Sequence, residues 1–248
     1  KDIMVILGGN SVGEIVEFNV GDEYYYCEKV NGEAVYQGDI ILTNEQLTND
    51  SLKGASKKYW IRYWPDGKVF YEISDKLKNE EGIKKAIDYW NKTSSVKFIP
   101  RSDEINYVEF VWKKNGYSSH IGMLPFPLKN KIWVRNDPEY GNVIHEMGHT
   151  VGLIHEHCRS DRDDFIKVYK KNISDEDYKK NYKKVKSSYN VGSFDYQSIM
   201  LYPTTDRFYP NITKIDGTEI KAQRSWLSVW DIKTIDKLYG TLDTKKPW

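Results

Sequence analysis

The chain reads as an α+β protein built as two subdomains around a cleft, and three features lead there. Strand-like segments with one helix precede a compact histidine motif, mostly irregular chain and a second helix follow it, and Gly152 divides the two parts. Residues 1–57 stand apart, with scattered glycines, no long helical stripe and short strand-like pieces such as 23–28. Next, Trp64-Pro65-Asp66-Gly67 predicts a turn between strands over 59–63 and 68–73, because Pro presets φ and Gly accepts positive φ. Ile83, Ile87 and Trp90 recur at helical spacing and predict a helix over 80–91. Alternating and aromatic-rich runs predict strands over 96–99, 107–112, 117–122 and 131–135, and the motif helix starts near Asn142. The lysine-rich stretch 167–186 carries Tyr178, Tyr182, Val185 and Tyr189 at helical spacing. It predicts an amphipathic helix capped by Ser174, with its lysines in solvent. A final helix is announced by Ser228 with Asp231 three residues on, a stripe of Ile232, Ile235 and Leu238 or Tyr239, and Gly240 past its end.

Composition excludes several classes. Lys+Arg of 37 against Asp+Glu of 36 leaves no basic excess for nucleic-acid binding. No apolar run approaches the roughly 20 residues that span a bilayer, and the early run 3–7 is too short for a signal-peptide core. A secreted protein is expected, with its signal already removed. Two cysteines in 248 residues cannot build a disulfide framework, so the fold stands on its core. Asn91-Lys92-Thr93, Asn172-Ile173-Ser174 and Asn211-Ile212-Thr213 fit the glycosylation pattern, which is common by chance.

Chemistry concentrates in one place. Four of the five histidines fall at positions 145, 149, 155 and 157, and residues 145–155 read HExxHxxGxxH. His145 and His149 lie one turn apart on one helix face and can grip a single ion. Gly152, three residues beyond His149, can take positive φ and turn the chain so that His155 swings back as a third ligand. Three imidazoles leave one position open, which marks a catalytic Zn2+ site and not a structural one. Glu146 sits where its carboxylate can reach a metal-activated water without ligating the metal.

The extended run HEMGHTVGLIHEHCRSDRD over 145–163 resembles the zinc signature of the astacin-type metzincin proteases. Phe194-Asp195-Tyr196-Gln197-Ser198-Ile199-Met200-Leu201-Tyr202 is similar to that family's Met-turn, and Leu227-Ser228-x-x-Asp231 and Leu238-Tyr239-Gly240 also fit. The likeness covers roughly residues 60–240 and looks nearest to bacterial members of the flavastacin or myroilysin kind. It implies a zinc endopeptidase with a mixed-sheet N-terminal subdomain and an irregular C-terminal one, acting on protein or peptide substrates through a zinc-activated water with Glu146 as general base. Met200 would floor the site, Tyr202 would bind zinc at rest and donate to the oxyanion, and Glu156 would receive the freed amino terminus of the mature enzyme. The segment 117–122 resembles the edge strand on which such enzymes pair substrate backbone. The family's usual disulfides cannot form here, because only Cys27 and Cys158 exist. A non-catalytic, zinc-stabilised secreted binding protein is the rival function, and an exopeptidase the rival chemistry.

The resemblance further implies that residues 1–57 are an inhibitory pro-segment and 58–248 the catalytic domain, with subdomains over 58–152 and 153–248. Tyr36-Gln37-Gly38-Asp39 is similar to the aromatic-x-Gly-Asp motif with which astacin pro-segments present a carboxylate to the metal. Cys27 is the physical rival to Asp39, because thiolate is the softer zinc ligand; it could also pair with Cys158. Release needs an activating protease or autocleavage, with Lys53, Lys57 and Lys58 as basic candidates.

Overall fold

The computed structural model describes residues 13–20, 23–48 and 61–240. Alternate burial sets up the first pair of strands. Phe18 and Val20 of β1 (Glu14–Val20) and Tyr25 and Cys27 of β2 (Glu23–Val30) point inward, while Glu17, Asn19 and Tyr24 point out. The antiparallel register sets Phe18 against Tyr25 and Val16 against Cys27. β3 (Glu33–Tyr36) and β4 (Ile40–Leu42) continue the meander. A small core closes beneath it, with Phe18, Tyr25 and Tyr36 in mutual ring contact at 5.4–6.2 Å. Residues 1–57 were expected to hold only short strand-like pieces; the described part instead holds four paired strands and a short helix, α1 (Asn44–Thr48).

The rest of the sheet comes from β5 (Lys68–Ile73), β6 (Lys97–Pro100), β7 (Val108–Trp112), β8 (Ser118–His120) and β9 (Asn130–Val134). The nine strands order as β1-β2-β3-β4-β8-β9-β7-β5-β6, in a mixed sheet. Two helices, α2 (Glu81–Thr93) and α3 (Tyr140–Thr150), pack against it and each other through Ile83, Ala86, Ile87, Trp90, Val143, Ile144 and Met147. Burying each large aliphatic side chain here contributes about 1.5–3 kcal/mol, which holds α3 rigidly under the cleft. The second subdomain is mostly irregular, with one antiparallel pair of distant strands, β10 (Ile166–Val168) and β11 (Ile212–Lys214), a short α4 (Asp175–Asp177) and the terminal α5 (Val229–Tyr239). As expected, α5 opens with a Ser228/Asp231 capping box and ends at Gly240, where φ is 81°. The α+β class and the two-part architecture hold.

Three expectations are corrected. The strand expected over 59–63 is not one: residues 59 and 60 lie outside the described residues, and 61–63 form no ladder. They cross the end of α3 instead, with Arg62 O accepting from Met123 N at 2.8 Å and Trp64 Nε1 donating to Thr150 O at 2.9 Å. The expected helix over 167–186 breaks into β10, α4 and a π-type turn, Tyr178–Tyr182. Ser174 does cap, accepting from Asp177 N at 3.1 Å, but the helix it starts is short because its backbone is drawn elsewhere. Asn181 O receives His157 Nε2 and Cys158 Sγ, Tyr182 O receives Arg162, and Val185 N donates to Cys158 O. Nor is β8 an edge: β9 pairs with it on one side, and β4 on the other in parallel register, Ile40 opposite Ser119 and Ile41 opposite His120.

Candidate metal centre

Helix α3 delivers His145 and His149 from one face, and the chain then turns at Gly152 with φ of 100°. Gly152 N donates to His149 O at 2.8 Å, and a side chain at this position would press on Tyr63 and Ile61 at 3.0–3.1 Å. Only glycine combines that φ with that clearance. The turn brings His155 back, so the three rings stand 4.7–5.2 Å apart, centre to centre.

Each Nδ1 is engaged from outside the cluster. His145 Nδ1 meets Ile199 O at 2.9 Å, His149 Nδ1 meets Leu153 O at 2.8 Å, and His155 Nδ1 meets the Gln37 side-chain oxygen at 3.2 Å. Carbonyl oxygens only accept, so the proton sits on Nδ1 and each Nε2 carries a lone pair toward the others. Burial also pushes His145 down to about 3 and His155 to about 4. Into this cluster comes the Asp39 carboxylate, 3.2 Å from His145 Nε2, 3.2 Å from His149 Nε2 and 3.3 Å from His155 Nε2. All four donor atoms lie within 4.8 Å of one another, and the Nε2 atoms of His145 and His155 are 3.2 Å apart. A tetrahedron of ligands about 2.0–2.1 Å from a zinc ion has edges of about 3.3–3.4 Å, so these spacings fit the ion. His149 Nε2 and Asp39 Oδ1 are buried without a hydrogen-bond partner, which a metal ion between them would satisfy.

Asp39 is held by its own backbone. Gly38 has φ of 88°, and a Cβ there would come within 2.8 Å of the Tyr202 hydroxyl. Asp39 O accepts from Ser119 N at 2.9 Å, which ties the carboxylate to the start of the β4–β8 pairing.

Glu146 is 2 % exposed, and its Oε2 has no partner. Burial first, and the Asp39 charge second, push its carboxyl well above the usual range. Met200 lies under α3, its sulfur against Gly148, where an added Cβ would stand 2.7 Å away. The turn carrying it is fixed by Asp231, which accepts from Ser198 Oγ at 2.7 Å and Ile199 N at 2.9 Å, so the cap of α5 braces the carbonyl that orients His145. The Tyr202 ring packs on His155 and His157 at 4.6 and 4.2 Å, while its hydroxyl donates to Gln37 O at 2.6 Å. Glu156 lies behind this layer, accepting from Asp195 N at 2.8 Å and Arg159 Nη1 at 3.0 Å, beside a cavity of about 100 Å³ lined by Ile61, Gly152 and Met200. Burial pushes its carboxyl up to about 7 against the pull of Arg159.

The structure brings Asp39, and not Cys27, to the imidazoles. Cys27 Sγ faces Val16 O at 3.7 Å in the core of the meander, and Cys158 Sγ faces Asn181 O at 3.3 Å. Both are free thiols, so the Cys27–Cys158 pairing is absent. Burial pushes Cys27 up to about 11 and Cys158 up to about 12. Thiolate is the reactive form, so neither should react with an aromatic disulfide reagent at about pH 8 in the folded chain. Both should react once it is denatured without reductant; a single reactive thiol per folded chain would contradict this burial.

Two residues of the site escaped the sequence. Gln37 appeared only as the unspecified residue of a motif, yet it contacts His155 and Tyr202 and donates from its backbone to Lys180 O at 3.2 Å. Arg224 is drawn in by Leu201 O at 3.1 Å, and its charge faces Asp39, Tyr202 and Glu146.

The family model for the astacin peptidases matches residues 56–240. Astacin-like metalloprotease toxin 1 of Loxosceles intermedia is 31% identical over 227 residues, covering 85% of this chain and 82% of that protein. Flavastacin of Elizabethkingia meningoseptica is 30% identical over 260 residues, covering 96% of this chain but only 57% of flavastacin. Among solved structures, High choriolytic enzyme 1, a hatching enzyme zinc-protease from Oryzias latipes, superposes with a TM-score of 0.64 at 26% identity, covering 73% of this chain and 94% of that one. With the histidine cluster and the match over most of its length, this chain belongs to the astacin family of zinc metalloendopeptidases.

Proposed function

We propose that His145, His149 and His155 hold the catalytic zinc, that Glu146 is the general base, and that the uncleaved chain is an inhibited zymogen in which Asp39 fills the fourth position. The convergence of one carboxylate and three Nε2 atoms on a common point carries this reading. Zinc, when bound, supplies Lewis-acid polarisation of the scissile carbonyl and of the attacking water. Glu146 accepts the water's proton and returns it to the leaving amine; its unpartnered Oε2 is free for that role. In a binding protein that kept zinc only for stability, a buried carboxylate oxygen without a partner would cost stability and gain nothing.

Tyr202 donates to the oxyanion once its present acceptor, Gln37 O, has left. β8, once β4 is gone, offers its backbone to an extended substrate, which would allow cleavage within chains of many sequences. The proposed boundary near residue 57 and the basic candidates Lys53, Lys57 and Lys58 lie outside the described residues, as do residues 1–12. Glu156 and its cavity are where the amino terminus freed by the cut would dock. Secretion is supported by a relative named as a toxin, which acts outside the cell that makes it. Among the described residues, no helix is long and apolar enough to cross a membrane.

Peptides blocked at both ends provide the test. After limited trypsin treatment the chain should cut them internally, lose activity to a zinc chelator and regain it with zinc; release of terminal residues alone would defeat the endopeptidase mechanism. In the same assay Tyr202→Phe should lower kcat by about 10²-fold with little change in KM, as expected for a donor that acts only in the transition state. A lowered Tm with unchanged kinetics would assign Tyr202 to structure alone.

A further inference from the structure

Several lysines of the broken helix reach the first part of the chain, Lys180 from a mostly buried position and Lys179 and Lys186 while still exposed to solvent, as the sequence predicts for this face. Lys180 Nζ meets Glu28 Oε2 at 2.7 Å, with both side chains mostly buried, and Lys186 Nζ meets Glu23 Oε1 at 2.9 Å. Between them, Lys183 donates to Tyr24 O and lies 5.4 and 5.1 Å from the ring centres of Tyr25 and Tyr26. Lys179 lies 5.5 Å from Tyr26. From Lys180 to Lys186 the lysine numbers rise as the strand numbers fall, so segment 180–186 runs antiparallel to β2 and reads it as an extended ladder of acid, ring and acid. Below the ladder, Val185, Cys158 and Ile121 form an apolar floor shared with Tyr25 and Cys27. Lys184 turns away to Asp163, 2.6 Å distant, and takes no part.

The side-chain contact is separate from the metal centre, although the Lys180 carbonyl accepts from Gln37 N at 3.2 Å. It is made by β2, whereas Asp39 and β4 occupy the cleft two strands further along the sheet. Four ammonium groups face two strand carboxylates, with Asp177 as the other acid within ion-pair distance, 3.3 Å from Lys180. The aromatic rings therefore help to hold the cations.

We propose that Lys179, Lys180, Lys183 and Lys186, over the Val185–Ile121 floor, form a second peptide-binding site that selects extended segments bearing carboxylates and tyrosines. Residues 23–28 are its ligand in the intact chain. Detaching them, which rests on the zymogen reading above, opens the site to acidic, tyrosine-bearing stretches of protein substrates, so that it acts as an anchor away from the bond being cut.

The test uses the full chain carrying Glu146→Ala, to prevent self-digestion, and Asp39→Ala, to remove the anchor in the cleft. Limited trypsin cuts it within residues 49–60, and the affinity of the detached N-terminal fragment is then measured by native mass spectrometry and by its release on dilution. The fragment should stay bound at low salt and weaken about tenfold or more between about 50 and about 500 mM NaCl, as screening of several partly exposed ion pairs requires. Lys180→Ala, Lys183→Ala and Lys186→Ala together should weaken it about tenfold at low salt and flatten the salt dependence. Glu23→Gln with Glu28→Gln lies wholly in the detached fragment, leaves the folding of the remainder untouched, and should reproduce that loss. A glutamate–tyrosine copolymer should displace the fragment at lower concentration than polyglutamate. Unchanged affinity and salt dependence in both sets of variants, or equal displacement by the two polymers, would overturn the site. An uncleaved wild-type chain that is already fully active would overturn the zymogen reading instead, and leaves the binding measurement standing.

Discussion

Replacing Glu146 with Ala is expected to lower kcat/KM of the trypsin-activated enzyme by about 10²–10⁴-fold, the range for removal of a positioned general base. Zinc should remain near one per chain, because the Glu146 carboxylate is not among the four donor atoms that converge. Asp39 leaves with the N-terminal segment in the proposed mechanism, and the Nδ1 atoms of His145 and His149 are engaged by carbonyls. His155→Ala gives the contrasting pattern, since it removes a metal ligand and should lower metal content together with activity. Measuring zinc and kinetics on the same preparations separates the two roles. Loss of metal in Glu146→Ala, or full metal in an inactive His155→Ala, would exchange the assignments and defeat the mechanism.

The metal motif was legible because its information is local: i,i+4 on a helix and one positive-φ glycine place three imidazoles whatever the rest of the chain does. Met200 and Tyr202 were legible only through their pairing with that motif, since a buried Met or Tyr alone reads as core. The choice between Asp39 and Cys27 could not be read, because it depends on which face of which strand reaches the cleft. Cys27 occupies an inward position of β2 beneath the meander, whereas Asp39 precedes the parallel pairing of β4 with β8. The segment 167–186 misled for a physical reason. Its helical spacing is real, but His157, Cys158 and Arg162 take the carbonyls of Asn181 and Tyr182, and that tertiary demand prevailed over a periodic surface pattern. Arg224 left no trace in the sequence and Gln37 only an unspecified place inside a motif, because each acts through a long-range approach that no spacing encodes.

Asp39→Ala in the uncleaved chain is expected to raise hydrolysis of small blocked peptides about tenfold or more over intact wild type, because a tethered ligand is present at high effective concentration until its donor atom is removed. The gain should be smaller on casein. β4 still covers β8 in this variant, and Tyr202 still donates to Gln37 O, so a long substrate cannot pair along the strand. Trypsin-cleaved wild type should exceed both. Gly38→Ala should act in the same direction, since a Cβ at φ of 88° and 2.8 Å from the Tyr202 hydroxyl cannot be placed without moving Asp39. Cys27→Ser should leave the uncleaved chain latent, with or without reductant, because its sulfur faces Val16 O and not the imidazoles. Mass spectrometry of each assay mixture must show the chain still intact, so that activity reflects an opened site and not a cut. If Cys27→Ser wakes the enzyme while Asp39→Ala stays silent, the thiol is the switch. If the intact wild type is already as active as the cleaved enzyme, the carboxylate among the three histidines does not restrain catalysis at all.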